Sequence, residues 1–556
     1  MNEPIFTSGP PGTGKTFIEL RKRYKEFVKK YKWNEIVVLS HTNVAAMEII
    51  KAVKTLPQLQ GVTIEDLEDQ ICTIHSYCRS MYVKMNKWEK EDHIKFSNKF
   101  PIMKKWKKKW DKHPLYQFCS QAHGREMTSE EYTKVCDPKS FEPYSVKMLK
   151  NLKEEYDKFR KTPGQERLSF EDMIDNFLFY GKEPEDIKVL MVDEAQDCSR
   201  PQIKALHKLA TNIKDPEGYR FIGDADQTLY QYAGADPEYF HMLALKHKDN
   251  ELKDGLRCCE TINTICKNII APVWKKWGYT RKWLPAGGKI GEHNFISRID
   301  KPCPGSFKLL QKIKSTLETF LFVYRGVPSD DVIKTFFYKH GIDFSHVGSD
   351  PHISRKVFRC FNTWDKFLTD KVSLQQIKEY WPLMGVRGEN GVKVNKMGEV
   401  KNLESLINKD YNIQEIIDLN LLKPSVLQYK NFSEVVTDTK ILPKIPFIKK
   451  VLLNNFDVEK MPRVEYGNIH QVKGLTRNNV IVDLTVTRRE DFYEGRRLGY
   501  VAYSRGEYDC WTILSRTNMS LGGIEANKKE IFNKGFSEED FHNFIMKQER
   551  EVYGRT

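Results

Sequence analysis

The arrangement of apolar and polar positions predicts short buried strands set among longer helical stretches. Pro4-Ile5-Phe6-Thr7 is long enough for one short buried strand, and Phe17 to Tyr31 reads as the helix that follows it. Ile187 to Val192 is apolar with a single break and predicts a parallel strand buried on both faces. Tyr219 to Ile222 predicts a third strand, and Arg496 to Ala502 a helix. Gly385 to Val400 is rich in turn residues and reads as a hairpin or mobile loop, while Ser520 to Thr556 reads as a charged helical cap. No repeat or low-complexity tract appears, and no apolar run is long enough to span a bilayer.

Composition narrows the class. A chain of 556 residues exceeds what one core organises, so two to four domains are expected. With 40% hydrophobic and 30% charged residues it reads as a soluble globular protein. The N-terminus shows no basic segment followed by an apolar run, so no signal peptide is expected. The 11 cysteines are scattered without a C-x-x-C pair, and the adjacent Cys258 and Cys259 suit neither a mutual disulfide nor a zinc knuckle. Reduced thiols and a cytoplasmic location are expected. Lys and Arg outnumber Asp and Glu by 90 to 75, which favours a polyanionic partner, nucleic acid first. Lys99 to Lys112 concentrates that charge, with Trp106 and Trp110 interleaved among Lys104, Lys105, Lys107, Lys108, Lys109 and Lys112. Cations beside aromatics suit a nucleic-acid strand. A solvated helix face carrying two core tryptophans fits the same residues equally well.

The chemistry-bearing segments sit at the ends of the predicted strands. Gly9-Pro10-Pro11-Gly12-Thr13-Gly14-Lys15-Thr16 fits the phosphate-loop pattern and lies between a strand and a helix, as that motif requires. Its glycines let backbone N–H groups converge on phosphates at a helix N-terminus. Lys15 would reach the β- and γ-phosphates, and Thr16 would ligate Mg²⁺. The second strand ends in Asp193-Glu194-Ala195-Gln196-Asp197. Asp193 there can hold Mg²⁺, and Glu194 can orient and deprotonate the attacking water. The third strand leads to Gln227, placed to touch a γ-phosphate, and then to Tyr230 and Tyr232, which are either core residues or a stacking platform for bases.

Taken in order, these blocks resemble the UvrD/Rep/PcrA branch of superfamily 1 helicases. The loop at Gly9–Thr16 is similar to Walker A, Thr42–Glu48 to motif Ia, and Thr73–Ser76 to motif Ib. Leu168–Met173 resembles a D-F-x-D-L-L segment, Asp193–Asp197 motif II, and Gly223–Tyr230 with Gly234-Ala235 motif III. Leu256-Arg257 resembles motif IV, and Phe322–Gly326 motif IVa. Ile469–Leu475 resembles motif V, and Arg496–Leu498 with Val501–Arg505 motif VI. The forms of motifs II, III and V resemble the 3′→5′ group. The resemblance covers most of the chain to Tyr508 and is weakest over about 80–165 and 350–460.

The resemblance implies an α/β fold of two RecA-like parallel-sheet P-loop lobes with two inserted, largely helical subdomains. Residues 1–78 and 165–250 would form the first lobe, interrupted by a basic insert at 79–164. Residues 251–350 and 463–556 would form the second, interrupted by a reduced insert at 351–462. ATP and Mg²⁺ would bind between the lobes, at Gly9 to Thr16 and Gly474, with Thr16 and Asp193 on the metal. Lys15, Asp193, Glu194 and Gln227 would act from the first lobe, with Arg257 and Arg505 reaching the γ-phosphate from the second. Thr42, Asn43, Thr73, His75, Tyr230, Tyr232 and His470 would hold the DNA strand. Implied partners are single-stranded DNA, single-strand/duplex junctions, and single-strand-binding or replication and repair proteins, with no membrane partner. The expected activity is ATP-dependent translocation with 3′→5′ unwinding. Alternatives are a translocase that remodels protein–DNA complexes with little unwinding, an RNA-acting enzyme, and a binding module with a vestigial ATP site. A phage or other viral source would suit the compact lysine-rich chain.

Three departures from the family pattern cluster at the base and sugar end of the nucleotide. Only eight residues precede Gly9, so the adenine-reading Q-motif is not seen. Leu256 stands where a stacking Tyr is usual, and Thr476 where a ribose-bonding Glu is usual. Intact phosphate chemistry with poor base selectivity is expected. Ala233, in place of an Arg in motif III, puts one further contact in doubt.

Overall fold

The computed structural model describes residues 3–82, 89–162, 169–246, 250–386, 391–394, 410–485 and 492–514. Strands are numbered in chain order: β1 (Ile5–Ser8), β2 (Ile36–Ser40), β3 (Ile71–Thr73), β4 (Val189–Val192) and β5 (Tyr219–Gly223) form one sheet. Its order is β1-β5-β4-β2-β3 and every pairing is parallel, with Phe6 opposite Phe221, Leu190 opposite Tyr219 and Val38 opposite Ile71. All described residues of β2, β4 and β5 are buried, because helices cover both faces. The strand expected at Pro4–Thr7 is thus displaced by one residue, and the one expected at Ile187–Val192 begins two residues later. The expected helix from Phe17 runs to Lys30, with Phe17–Arg23 wound as a π-helix and Tyr24–Lys30 as an α-helix.

A second parallel sheet contains β6 (His293–Ile296), β7 (Phe320–Tyr324), β8 (Phe344–His346), β11 (Val464–Asn468), β12 (Arg477–Asp483) and β13 (Gly506–Ile513). The order is β6-β13-β12-β7-β11-β8. Two short antiparallel strands, β9 (Val372–Ser373) and β10 (Asp410–Tyr411), lie outside both sheets. The fold is therefore α/β with two parallel-sheet lobes, as expected.

The two interrupting segments pack differently. Helices Glu89–Lys99, Pro114–Gly124, Ser129–Val135 and Val146–Arg160 gather around their own core, which includes Phe96, Phe118, Leu149 and Tyr156. Trp110 belongs to that core, stacked on His93 at 4.2 Å and on His113 at 5.0 Å. The open reading of the lysine run is thereby decided for this tryptophan: its ring turns inward, while Lys104, Lys105, Lys108, Lys109 and Lys112 remain exposed. By contrast, Ile353, Trp364, Tyr380, Val426 and Val458 share one continuous core with Phe320, Phe322 and Trp511 of the second sheet. Around Gly385, isolated bridges join Gly385 to Gly391 and Lys393 to Leu422. Much of the expected 385–400 hairpin, and all of the expected cap at 520–556, lie outside the described residues.

A connecting ribbon brings the sheets together. Leu252 N–H donates to Ser8 O at 2.8 Å, Leu256 N–H to Gly12 O at 2.8 Å, and Gly255 N–H to Leu284 O at 3.0 Å. The chain that leaves the first lobe therefore lies along the edge of β1 and against the phosphate loop before helix Glu260–Trp277 begins.

Candidate active site and nucleic-acid interface

The phosphate loop leaves the C-terminal end of β1. Gly12 and Gly14 adopt φ of +72° and +84°, the left-handed conformation that a side chain disfavours. A Cβ on Gly12 would also lie 2.4 Å from the Arg257 Cβ, so the loop is glycine there partly to admit a neighbour from the ribbon. Lys15 Nζ donates to the Gly9 and Pro10 carbonyls, at 2.5 and 3.1 Å. Burial pushes its ammonium down to about 8, and the nearby cations Arg281 and Arg257 act in the same direction against Asp224 and Glu194. An anion in the loop would relieve both effects. The residues at this end therefore suit a polyphosphate.

Asp193 and Glu194 emerge from β4 beside this loop. Asp193 is buried, and burial together with the Glu194 charge raises its carboxyl to about 7. The Lys15 and Lys473 ammoniums pull it the other way without offsetting this, and two neighbouring buried carboxyls fit a place for a divalent ion. Glu194 holds a left-handed φ of +54°, a conformation that costs a non-glycine residue about 1–2 kcal/mol. Burial would raise its carboxyl, but the Lys473 ammonium and a hydrogen bond from Gln196 Nε2 at 2.5 Å hold it down at about 2. Lys473 reaches across from the loop after β11. It pairs with buried Asp197 and lies 3.4 Å from Glu194.

Gln227 joins the lobes at the same end. Its Nε2 donates to Asp224 Oδ2 at 2.7 Å, and its Oε1 accepts from the Arg505 guanidinium at 3.1 Å. Arg505 follows helix Phe492–Tyr503, which contains the whole expected Arg496–Ala502 segment, and is buried. Its guanidinium also donates to Val501 O at 3.0 Å and Ser504 Oγ at 2.8 Å, while Arg257 donates to Ser504 O at 3.4 Å. Burial lowers both arginines, and Arg257 helps depress Arg505 to about 10. Two guanidiniums with so little negative charge between them suit an anion at this point. Thr16 is exposed at the start of the helix, and Gly474 takes φ +88° beside Lys473.

The expected strand-contacting residues lie along the C-terminal edge of the first sheet and across to the second. Thr42 follows β2 and Thr73 ends β3, and both cap the next helices, their hydroxyls accepting from Ala45 N–H and Ser76 N–H, each at 3.2 Å. Asn43 is exposed at the first of these helix N-termini. His75 packs on Phe170 at 5.1 Å and meets Gln202 at 3.3 Å. Tyr230 lies 4.4 Å from His41, and Tyr230 and Tyr232 lie 5.8 and 5.7 Å from His470. Arg325 approaches the His470 ring at 3.5 Å. Burial lowers His41, His75 and His470 to about 4, 4 and 3, so all three are neutral near pH 7. The insert borders this aromatic group: Gly124 packs so closely on Gly234 that a Cβ would lie 2.1 Å from its carbonyl oxygen.

Several contributors escaped the sequence reading. Lys473 stood inside a recognised block, but its pairing with Asp197 needed the two lobes together. His41 adjoins a recognised block, and Arg325 stood inside one without a role of its own. Arg281 had no spacing signal, although its guanidinium is buried among Asp224, Asp226 and Glu251 at 2.5, 3.2 and 2.7 Å.

Comparison with known proteins bears on this geometry. Residues 1–248 match the family described as UvrD/REP helicase N-terminal domain. Over 367 residues, 62% of this chain, the sequence is 23% identical to the ATP-dependent DNA helicase Rep of Buchnera aphidicola subsp. Acyrthosiphon pisum (strain APS). That alignment covers 50% of Rep, so the chain spans about half the length of this curated relative. No helix among the described residues is long and apolar enough to cross a membrane.

Proposed function

We propose, for a chain that is UvrD/Rep-like, that it hydrolyses ATP between its two lobes and uses the cycle to move along single-stranded DNA in the 3′→5′ direction, separating duplex at a junction. The observation that carries this reading is the cross-lobe contact between Gln227 and Arg505 beside Lys15 and the motif II carboxylates. Lys15 and the backbone of Gly9 to Thr16 bind the phosphates. Mg²⁺, held by Thr16 and Asp193, would neutralise charge on the β- and γ-phosphates. Glu194 takes a proton from the attacking water. Arg257 and Arg505 stabilise charge on the transferred phosphoryl group, an effect worth about 10³–10⁵ in rate for arginines that complete a site from outside.

Coupling follows from composition of the site across two bodies. Hydrolysis requires the second lobe to deliver its guanidiniums, and the same closure brings Tyr230 and Tyr232 against His470. Hydroxyls and helix N-termini at Thr42, Asn43 and Thr73 hold phosphates without reading sequence, and the tyrosines stack bases. The domain limits given above, 1–78 with 165–250 and 251–350 with 463–556, are part of this proposal.

A second reading draws on the described residues between Ile353 and Val458, whose core is continuous with that of the second sheet. A segment fused in this way has less freedom to grip duplex as a separate body, which favours a translocase that remodels protein–DNA complexes with little unwinding. One series separates the readings. Phosphate release is measured without polymer, with DNA and with RNA, and unwinding is then measured on duplexes with 3′ or 5′ tails. DNA-stimulated release with unwinding of the 3′-tailed duplex supports the first reading, and release without unwinding supports the second. RNA-only stimulation or no release refutes both.

A further inference from the structure

Arg281 lies beyond helix Glu260–Trp277, outside every recognised block, yet its side chain is only 6% exposed. Its Nη1 donates to Asp224 Oδ1 at 2.5 Å and to Asp226 Oδ2 at 3.2 Å, and its Nε to Glu251 Oε1 at 2.7 Å. Asp226 is held independently by Trp274 Nε1 at 2.8 Å and Tyr279 Oη at 3.2 Å. Asp224 is not. Its side-chain partners are Arg281 on one oxygen and Gln227 on the other, with the Asp226 N–H on the Arg281 side.

The two carboxylate oxygens of Asp224 therefore face opposite tasks. One is anchored by a guanidinium. The other accepts the Gln227 amide N–H, and that contact turns the amide oxygen toward Arg505. A side-chain amide can rotate to exchange its oxygen and nitrogen. The exchanged form would aim an NH₂ at a guanidinium and a carbonyl at a carboxylate, both repulsive. A fixed Asp224 thus selects one orientation of Gln227.

We infer that Arg281 is a positioning residue for nucleotide hydrolysis, acting through Asp224 to orient the Gln227 amide toward Arg505 and the terminal phosphate. The inference rests on the hydrolytic reading given above. Arg281 also ties this orientation to the second lobe, because helix Glu260–Trp277 shares a core with helix Phe492–Tyr503, which ends just before Arg505. The relay Arg281–Asp224–Gln227–Arg505 begins and ends just past the C-termini of the same packed pair of helices, with the first-lobe sensor held between.

A buried arginine with three acidic partners can also serve stability alone, so the test separates the two roles. Single-strand-stimulated phosphate release is measured for the parent protein, Arg281→Lys, Gln227→Ala and the double variant, with thermal unfolding recorded for each. Lysine keeps the charge, but it lacks the fork that serves Asp224 and Glu251 together. The expected result is a fall in kcat of at least 20-fold for Arg281→Lys with KM for ATP changed less than 3-fold. In the Gln227→Ala background the same substitution should change kcat less than 3-fold. Equal losses in both backgrounds, or parent-like kcat in Arg281→Lys, would overturn the inference while leaving the hydrolytic reading intact. If Arg281→Lys unfolds early, Asp224→Asn supplies the same comparison, since it breaks the relay and leaves Arg281 on Asp226 and Glu251. A parent protein that releases no phosphate overturns both proposals.

Discussion

Removing the Lys473 ammonium should loosen the contact between the lobes, and the geometry sets the size of the effect. The Lys473 and Asp197 side chains are 9% and 1% exposed, so neither partner can be rescued by water when the other is lost. Breaking a buried pair from one side costs about 3–5 kcal/mol, whereas replacing both partners is often close to neutral. The two single variants should not be equal. In Lys473→Met, the hydrogen bond left to the Asp197 carboxylate among the described residues is that from the Leu229 N–H at 3.0 Å, and Glu194 also loses the Lys473 ammonium at 3.4 Å. In Asp197→Asn, Lys473 still has Glu194 at 3.4 Å. Lys473→Met is therefore expected to cost about 3–5 kcal/mol and Asp197→Asn clearly less. The double variant should be more stable than the sum of the two losses by about 1–3 kcal/mol. Urea unfolding followed by fluorescence measures this. With a slope of about 3 kcal/mol per molar, the larger loss moves the midpoint by about 1–1.7 M. Strictly additive losses, or a midpoint unmoved in Lys473→Met, would refute the claim that this pair is buried across the interface.

Four further outcomes are expected. Gly12→Ala places a Cβ 2.4 Å from that of Arg257 in a left-handed conformation, so phosphate release should fall at least tenfold, while Gly287→Ala, whose Cβ meets open space without a left-handed φ, leaves it intact. Tyr230→Ala and Tyr232→Ala should each weaken binding of an oligothymidylate by about 1–3 kcal/mol, or about 5- to 150-fold, measured by fluorescence anisotropy. Leu256 is 70% exposed beside Gly14 and offers no stacking ring, so kcat/KM for ATP, GTP, CTP and UTP should agree within about tenfold; a strong ATP preference would show that another group reads adenine. His41, His75 and His470 are held below the usual histidine range by burial, so the unfolded chain binds more protons than the folded one as pH falls below about 6.5. Stability should accordingly drop between pH 6.5 and 4, read as a lower urea midpoint at pH 5 than at pH 7.5, and stay flat in this respect above pH 7.

What the sequence disclosed is local. The strand preceding Asp193 was legible because a parallel strand buried on both faces reads as a continuous apolar run, and the one preceding Gly9 because the phosphate-loop pattern requires a strand directly before it. The helix after Lys15 was legible in extent, although the π-helical winding of Phe17–Arg23 was not; buried Glu19, paired with Arg220 at 2.5 Å and with Thr7 at 2.9 Å, lies within that stretch. Long-range electrostatics left no trace in the pattern. The Asp197 partner of Lys473 lies 276 residues away, and the partners of Arg281 30 or more, at separations no periodicity encodes. Trp110 shows a different limit: its lysine neighbours fitted a strand track and a core tryptophan equally well, and only the packed insert shows that the ring completes a core, where burial of apolar area outweighs the charge around it.

The most direct test of the account is phosphate release by Arg505→Ala with saturating single-stranded DNA, compared with the parent protein and with Lys15→Ala. A site completed from the second lobe predicts a loss of about 10³–10⁵ in kcat for Arg505→Ala, with nucleotide binding retained. An Arg505→Ala protein that releases phosphate within tenfold of the parent would contradict it.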